Sequence, residues 1–128
     1  VLHVGRVEPR KGVEVLVRAW ALIAARLPGW TLRFVGADTT TSPARTSLQG
    51  HLVSLVPEAL RASVQFAGPM PPEQVAREQR RASIVAAPSL WENYPNTCLE
   101  AMARATPVVV SDAGGQAEMV GDSPAGLV

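Results

Sequence analysis

The chain has one cysteine, Cys98, in 128 residues. A single thiol rules out an internal disulfide and fits a reducing compartment, so a cytoplasmic protein is expected. No apolar run approaches the ~20 residues that a membrane span needs, and no signal-peptide pattern is visible. Any membrane contact is therefore expected to be peripheral and to be made through another domain. Net charge is also scarce: 12 Lys and Arg stand against 11 Asp and Glu, a balance of +1. That balance leaves no electrostatic footprint for nucleic acid or an anionic membrane. The phosphate-binding pattern Gly-x4-Gly-Lys-Ser/Thr is missing, and so is the dinucleotide fingerprint Gly-x-Gly-x-x-Gly. The acids Asp112, Glu118 and Asp122 are scattered. They form no Asp-x-Asp pair and no metal cluster, so neither a metal site nor a resident cofactor is expected. No internal repeat or low-complexity segment is present.

What remains is a chain that can fold. Apolar residues make up 47% and charged residues 18%, which excludes disorder. One domain of this size buries about two-thirds of its unfolded surface. Val1 to Val4 is a β-rich run that ends at Gly5. From Gly12 to Leu27, the residues Val13, Leu16, Val17, Trp20, Ile23, Ala24 and Leu27 share one helical face, and Pro28-Gly29 stops the helix. Strands are predicted at Trp30 to Val35, Val64 to Ala67, Ile84 to Ala87 and Pro107 to Ser111. Helices are predicted from Leu48 to Leu60, broken near Pro57, from Pro71-Pro72 to Arg81, and from Asn96 to Arg104. Gly126 to Val128 reads as the start of a further strand. Because Val1 already looks like a strand interior, one excised domain is expected.

Short, nearly uniform apolar strands alternating with helices predict an α/β fold. Its core is a Rossmann-like doubly wound parallel sheet with helices on both faces. In the strand order 3-2-1-4-5, the first and fourth strands are neighbours, and the crevice at their carboxyl ends binds ligands. Two polar constellations follow those two strands. The first is Gly5-Arg-Val-Glu-Pro-Arg-Lys-Gly12, where Arg6, Arg10 and Lys11 precede a helix start. Free helix amides and three cations suit a diphosphate. The same segment also reads as a solvated basic loop. The second is Glu92-x7-Glu100. A carboxylate can accept bonds from two vicinal hydroxyls, so two near a diphosphate cradle suit a nucleotide sugar. Glu100 has a competing reading, since Thr97-Cys-Leu-Glu100 fits a capping box. His3, Trp20, Cys98 and Met102 read as core, and His51 reads as surface.

These residues resemble the C-terminal, donor-binding domain of group 1 (family 4) retaining glycosyltransferases of the GT-B type. The resemblance rests on Gly5-Arg6…Lys11-Gly12, Phe66-Ala-Gly68, Pro88-Ser-Leu-Trp-Glu92-Asn, Leu99-Glu100-Ala-Met-Ala103, Pro107-Val-Val-Val-Ser-Asp112 and Gly114-Gly115…Glu118. It covers essentially the whole chain. It implies one half of a two-domain enzyme and metal-independent transfer from a nucleotide-sugar donor with retention. The acceptor, a glycan, a lipid or a small molecule, would be held by an N-terminal domain that this chain does not contain. The residues implied to act in catalysis are Arg6, Lys11 and Glu92. Arg6 and Lys11 would bind the diphosphate, Glu92 the transferred sugar and Glu100 the ribose. Asn93, Asn96 and Thr97 would offer amides to phosphate and sugar, and Gly5 and Gly68 would line the donor and base. The chain by itself is expected to transfer nothing. An epimerase or phosphorylase domain of the same architecture, and a non-catalytic binding module, are the competing expectations. One departure from the family stands out: Ala105 occupies a position where the family usually has Gly.

Overall fold

The computed structural model describes residues 1–121 and 124–128, so Asp122 lies outside the described residues. In chain order the elements are β1 (Leu2–Val4), α1 (Val13–Ile23), β2 (Leu32–Val35), α2 (Leu48–Ser54), β3 (Val64–Phe66) and α3 (Pro72–Arg81). They continue with β4 (Val85–Ala87), α4 (Asn96–Met102), β5 (Val108–Val110), α5 (Gln116–Val120) and β6 (Gly126–Leu127). Every strand pairing is parallel, and the sheet order is β3-β2-β1-β4-β5-β6. This is the doubly wound order expected from the alternation of apolar strands and helices, extended by β6.

Two cores flank the sheet. On one face, Val13, Val17 and Trp20 of α1 and Leu48 and Leu52 of α2 pack with Leu32, Phe34 and Val64. On the other, Cys98 and Ala101 of α4 and Val120 of α5 pack with Leu2, Val35, Val85, Val108 and Val110. Phe34 and Val35 are adjacent in sequence yet serve opposite cores, as the two-residue period of a strand requires. Burying one such Val, Leu or Phe contributes roughly 1.5–3 kcal/mol. The connection after β1 leads to the first face and the connection after β4 leads to the second. The two loops therefore leave neighbouring strands in opposite directions and open the crevice between them. Pairing reflects this: β1 aligns with β2 through three residue pairs, but with β4 through Leu2↔Val85 alone.

Some boundaries differ from the sequence reading. Helix α1 tightens into a 3-10 turn over Ala24–Arg26, and this leaves Ile23 at 42% exposure instead of on the buried face. The predicted helix from Leu48 stops at Ser54, and a 3-10 segment, Glu58–Ser63, follows Pro57. Helix α5 was not anticipated; five residues between Gly115 and Gly121 are too few to show a period.

Helix α4 ends on Ala105, which adopts a left-handed conformation with φ 56°. The Ala105 amide donates to the Met102 carbonyl at 2.9 Å, and the Thr106 amide donates to that of Ala101 at 3.0 Å. This double closure is the Schellman motif, whose left-handed position usually carries glycine. The alanine therefore adopts the turn that a glycine would form.

Candidate functional site

The loops after β1, β4 and β5 meet at the carboxyl edge of the sheet. Gly12, at φ 65°, sits so close to the β4 loop that a Cβ would lie 1.7 Å from the Pro88 carbonyl oxygen. Only glycine permits both that conformation and that approach. Next to it, the Leu90 amide donates to the Arg10 carbonyl at 2.8 Å, and Arg10 Nη1 donates to the Trp91 carbonyl at 3.2 Å. From the β5 side, Gly114 lies against the Glu92 backbone, where a Cβ would come within 2.2 Å of its carbonyl oxygen. The Gly115 amide donates to that same oxygen at 2.9 Å. Beneath them Gln116, fully buried, donates through Nε2 to Ser111 Oγ at 2.9 Å, Ala113 O at 3.2 Å and Ser89 O at 3.3 Å. The backbone that carries Glu92 is thus clamped from both neighbours.

A chain of charges runs across this clamp. Arg6 Nη2 donates to Glu8 Oε1 at 3.3 Å, and Arg10 Nη2 donates to the same oxygen at 3.0 Å. Arg10 Nη1 reaches Glu92 Oε2 at 3.5 Å, and Lys11 Nζ donates to that oxygen as well. The hydrogen bond from Lys11 holds the Glu92 carboxyl below the usual carboxylate range; partial burial opposes it, and the charges of Lys11 and Arg10 add to it. Three cations and two carboxylates leave one net positive charge. The Lys11 and Glu92 side chains are 20% and 16% exposed, whereas Arg6 is 63% exposed. Lys11 and Glu92 are therefore a half-sheltered pair, while Arg6 is a solvent-exposed cation at the rim.

The remaining candidates are placed as follows. Gly5 ends β1, and Gly36 packs against its carbonyl. Gly68 ends β3, where its carbonyl accepts from the Gly36 amide at 2.9 Å. It therefore lines the far side of the same edge, two strands from Lys11. Asn93 and Asn96 are exposed and Thr97 is half-buried. Glu100 projects from the second turn of α4 as an exposed residue, and its carboxylate has no hydrogen-bond or ion-pair partner among the described residues.

The capping-box reading of Thr97 and Glu100 is overturned. Helix α4 begins at Asn96, with Pro95 as the N-cap and no side-chain cap bond. Pro95 supplies the first carbonyl, which accepts from the Cys98 and Leu99 amides at 2.9 and 3.4 Å. Thr97 is consequently already inside the first turn, two residues too late to cap it. Nothing among the described residues accepts from the Asn96 and Thr97 amides.

Sequence reasoning grouped Arg10 with the other cations but gave it no role. Three cations within one turn carry no signal for which one reaches across the crevice. Glu8, the Gly115 amide and Gln116 had no assigned role either; their contacts exist only through the fold. Other residues are buried as expected: Cys98 and His3 are buried, Trp20 is buried with its Nε1 donating to Ser63 Oγ at 2.8 Å, and Met102 packs against the second core. His51 is half-exposed beside Glu14 at 3.5 Å. Among the described residues no three His, Cys, Asp or Glu side chains are grouped to hold a metal ion. None of the described helices is long and apolar enough to cross a membrane.

Comparison with known proteins identifies the family of the chain. The family described as "Glycosyl transferases group 1" matches residues 1–128, and the chain belongs to that family. It is 37% identical to a D-inositol 3-phosphate glycosyltransferase of Nocardia farcinica and 36% identical to one of Rhodococcus erythropolis. Each match covers all of this chain but only 28% and 29% of those proteins, so the chain spans less than a third of their length. Among solved structures, a sucrose-phosphate synthase from Thermosynechococcus elongatus matches with TM-score 0.79 and 33% identity over 98% of this chain and 31% of its own. The C-terminal domain of a group 1 family glycosyl transferase from Francisella tularensis shares the fold, with TM-score 0.78 and 21% identity over 99% of this chain and 66% of that one.

Proposed function

We propose that the chain is the donor-binding half of a glycosyltransferase that takes a sugar from a nucleoside diphosphate with retention and without a metal ion. The Lys11–Glu92 pair carries this reading, because it sits at the β1/β4 crevice with Arg6 and Arg10 beside it. A diphosphate entering the crevice competes for Lys11 and draws Arg6 inward from the rim. Those cations then stabilise the leaving diphosphate, the role a metal would otherwise fill. Glu92, released from Lys11, accepts hydroxyls of the transferred sugar. Glu100, exposed and with no carboxylate partner among the described residues, is available to the ribose. The Asn96 and Thr97 amides, with Asn93 preceding them, face the phosphates or sugar, and Gly5 and Gly68 border the donor and its base.

The acceptor belongs to the other half of the parent enzyme. The relatives' names point to phosphorylated polyols and sugar phosphates as the first acceptors to assay. Calorimetry with UDP-, GDP- and ADP-sugars tests the donor reading, and the double change Arg6→Ala with Lys11→Ala should abolish diphosphate affinity while the fold persists. No binding by any of these donors to the parent protein would count decisively against it. Product analysis discriminates the chemistry: free nucleotide plus glycoside marks transfer, whereas an altered nucleotide sugar marks epimerisation. The 128-residue chain alone should show no transfer.

A further inference from the structure

His3 lies on β1 directly beneath the crevice and is 1% exposed. Its ring stacks at a tilt on Phe34, with centroids 5.4 Å apart. Nδ1 is 3.0 Å from the carbonyl oxygen of Ala86, an atom that can only accept. Nδ1 therefore carries the proton, and Nε2 presents a lone pair. No group among the described residues donates to that lone pair, although the atom is buried. A buried acceptor without a partner costs free energy unless something fills it.

The space in front of Nε2 is a notch created by Gly5. A Cβ placed on Gly5 would meet only His3 Nε2, at 3.5 Å, and Lys11 Cε, at 3.9 Å. The notch is thus bounded by an acceptor on one side and the Lys11 stem on the other, one residue from the charge chain. Burial keeps the ring neutral, pushing its pKa down to about 4, and Lys11 opposes its protonation. A neutral lone pair repels phosphate oxygens and accepts from hydroxyls.

We propose that His3 Nε2 accepts a hydrogen bond from a hydroxyl of the transferred sugar, seated in the Gly5 notch beside Lys11, and so serves as a specificity residue for the donor. This rests on the donor-site reading, and it adds a contact that the diphosphate itself does not make. The test compares UDP, GDP and ADP with their glucose, galactose and mannose conjugates, by calorimetry on wild type, His3→Phe and His3→Gln. Phe keeps the ring volume without the acceptor; Gln restores an amide oxygen near Nε2. The expected result is a roughly three- to tenfold loss of nucleotide-sugar affinity in His3→Phe. Diphosphate affinity should be unchanged, and His3→Gln should recover part of the loss. Equal losses for diphosphate and nucleotide sugar, or no loss for either, overturn the inference, as does a wild type in which no hexose adds to diphosphate affinity. Absence of any diphosphate binding overturns the donor-site reading and this inference together. A measurement without substitution guards against misfolded variants: the ¹⁵N resonance of His3 Nε2 should move upfield when the nucleotide sugar saturates the wild-type protein and stay in place with the diphosphate. An unmoved resonance under nucleotide sugar refutes the contact.

Discussion

Replacing Ala105 by glycine should stabilise the protein. Ala105 holds φ 56°, and its amide and that of Thr106 close the end of α4. An L-residue with a Cβ is strained in this region by roughly 1–2 kcal/mol. Glycine removes that strain but adds freedom to the unfolded chain, which offsets about 0.4–1 kcal/mol. Ala105 is exposed, so the lost methyl costs no packing. The net gain is roughly 0.5–1 kcal/mol, or about 2–4 °C in Tm for a domain of this size. Thermal melts and urea titrations of Ala105→Gly measure it, and the midpoint should rise without a change in the denaturant slope. Ala103→Gly is the control: that residue is right-handed, at φ −61°, so glycine there should destabilise by about 0.5–1 kcal/mol. An Ala105→Gly variant that melts at or below the wild-type temperature would refute the strain argument.

Four further outcomes follow from contacts in the structure. Ser47→Ala should cost about 1 kcal/mol, because Ser47 Oγ accepts from the Gly50 amide at 3.0 Å and caps α2. Thr97→Ala should change stability by less than about 0.5 kcal/mol, because Thr97 caps nothing; chemical denaturation of both variants checks the pair. Lys11→Met should raise the Glu92 carboxyl pKa, read by ¹³C NMR titration, and weaken nucleoside diphosphate binding by about tenfold or more. For His3 the folded pKa is about 4 against an ordinary 6.5, so between those values the unfolded chain binds the extra proton. Stability should be full above pH 6.5 and fall by up to roughly 3 kcal/mol as pH drops towards 4. Glu92 acts in the same direction further into acid, because its depressed pKa contributes stability that is lost as it protonates. Urea midpoints across pH for wild type and His3→Phe should show the His3 part of this slope vanish in the variant.

The fold was largely legible because parallel strands buried on both faces must be continuously apolar. Val85 to Ala87 announces itself in this way, Val108 to Val110 is equally apolar although Val109 is 39% exposed, and the helical spacing of Val13, Val17 and Trp20 is as plain. Short elements were not: α5 holds five residues, and the tightening at Ala24 depends on packing that no local pattern records. The Thr97 misreading has a similar cause. A Thr-x-x-Glu spacing satisfies the capping pattern wherever it falls, but the start of α4 is set by Pro95 and by the loop's attachment to Gly114 and Gly115.

From residue order alone came the alternation of strands and helices, the glycine positions and the two polar segments after the first and fourth strands. These are local properties, set by side-chain periodicity and backbone freedom. Tertiary structure alone decided that Arg10 bridges Glu8 and Glu92, that Lys11 pairs with Glu92 while Arg6 stays at the rim, and that His3 Nε2 lies beside Gly5 with no hydrogen-bond partner among the described residues. Those outcomes depend on which strands become neighbours and on side-chain reach across 81 or more residues of chain. Distances of that kind exist only once the sheet has formed.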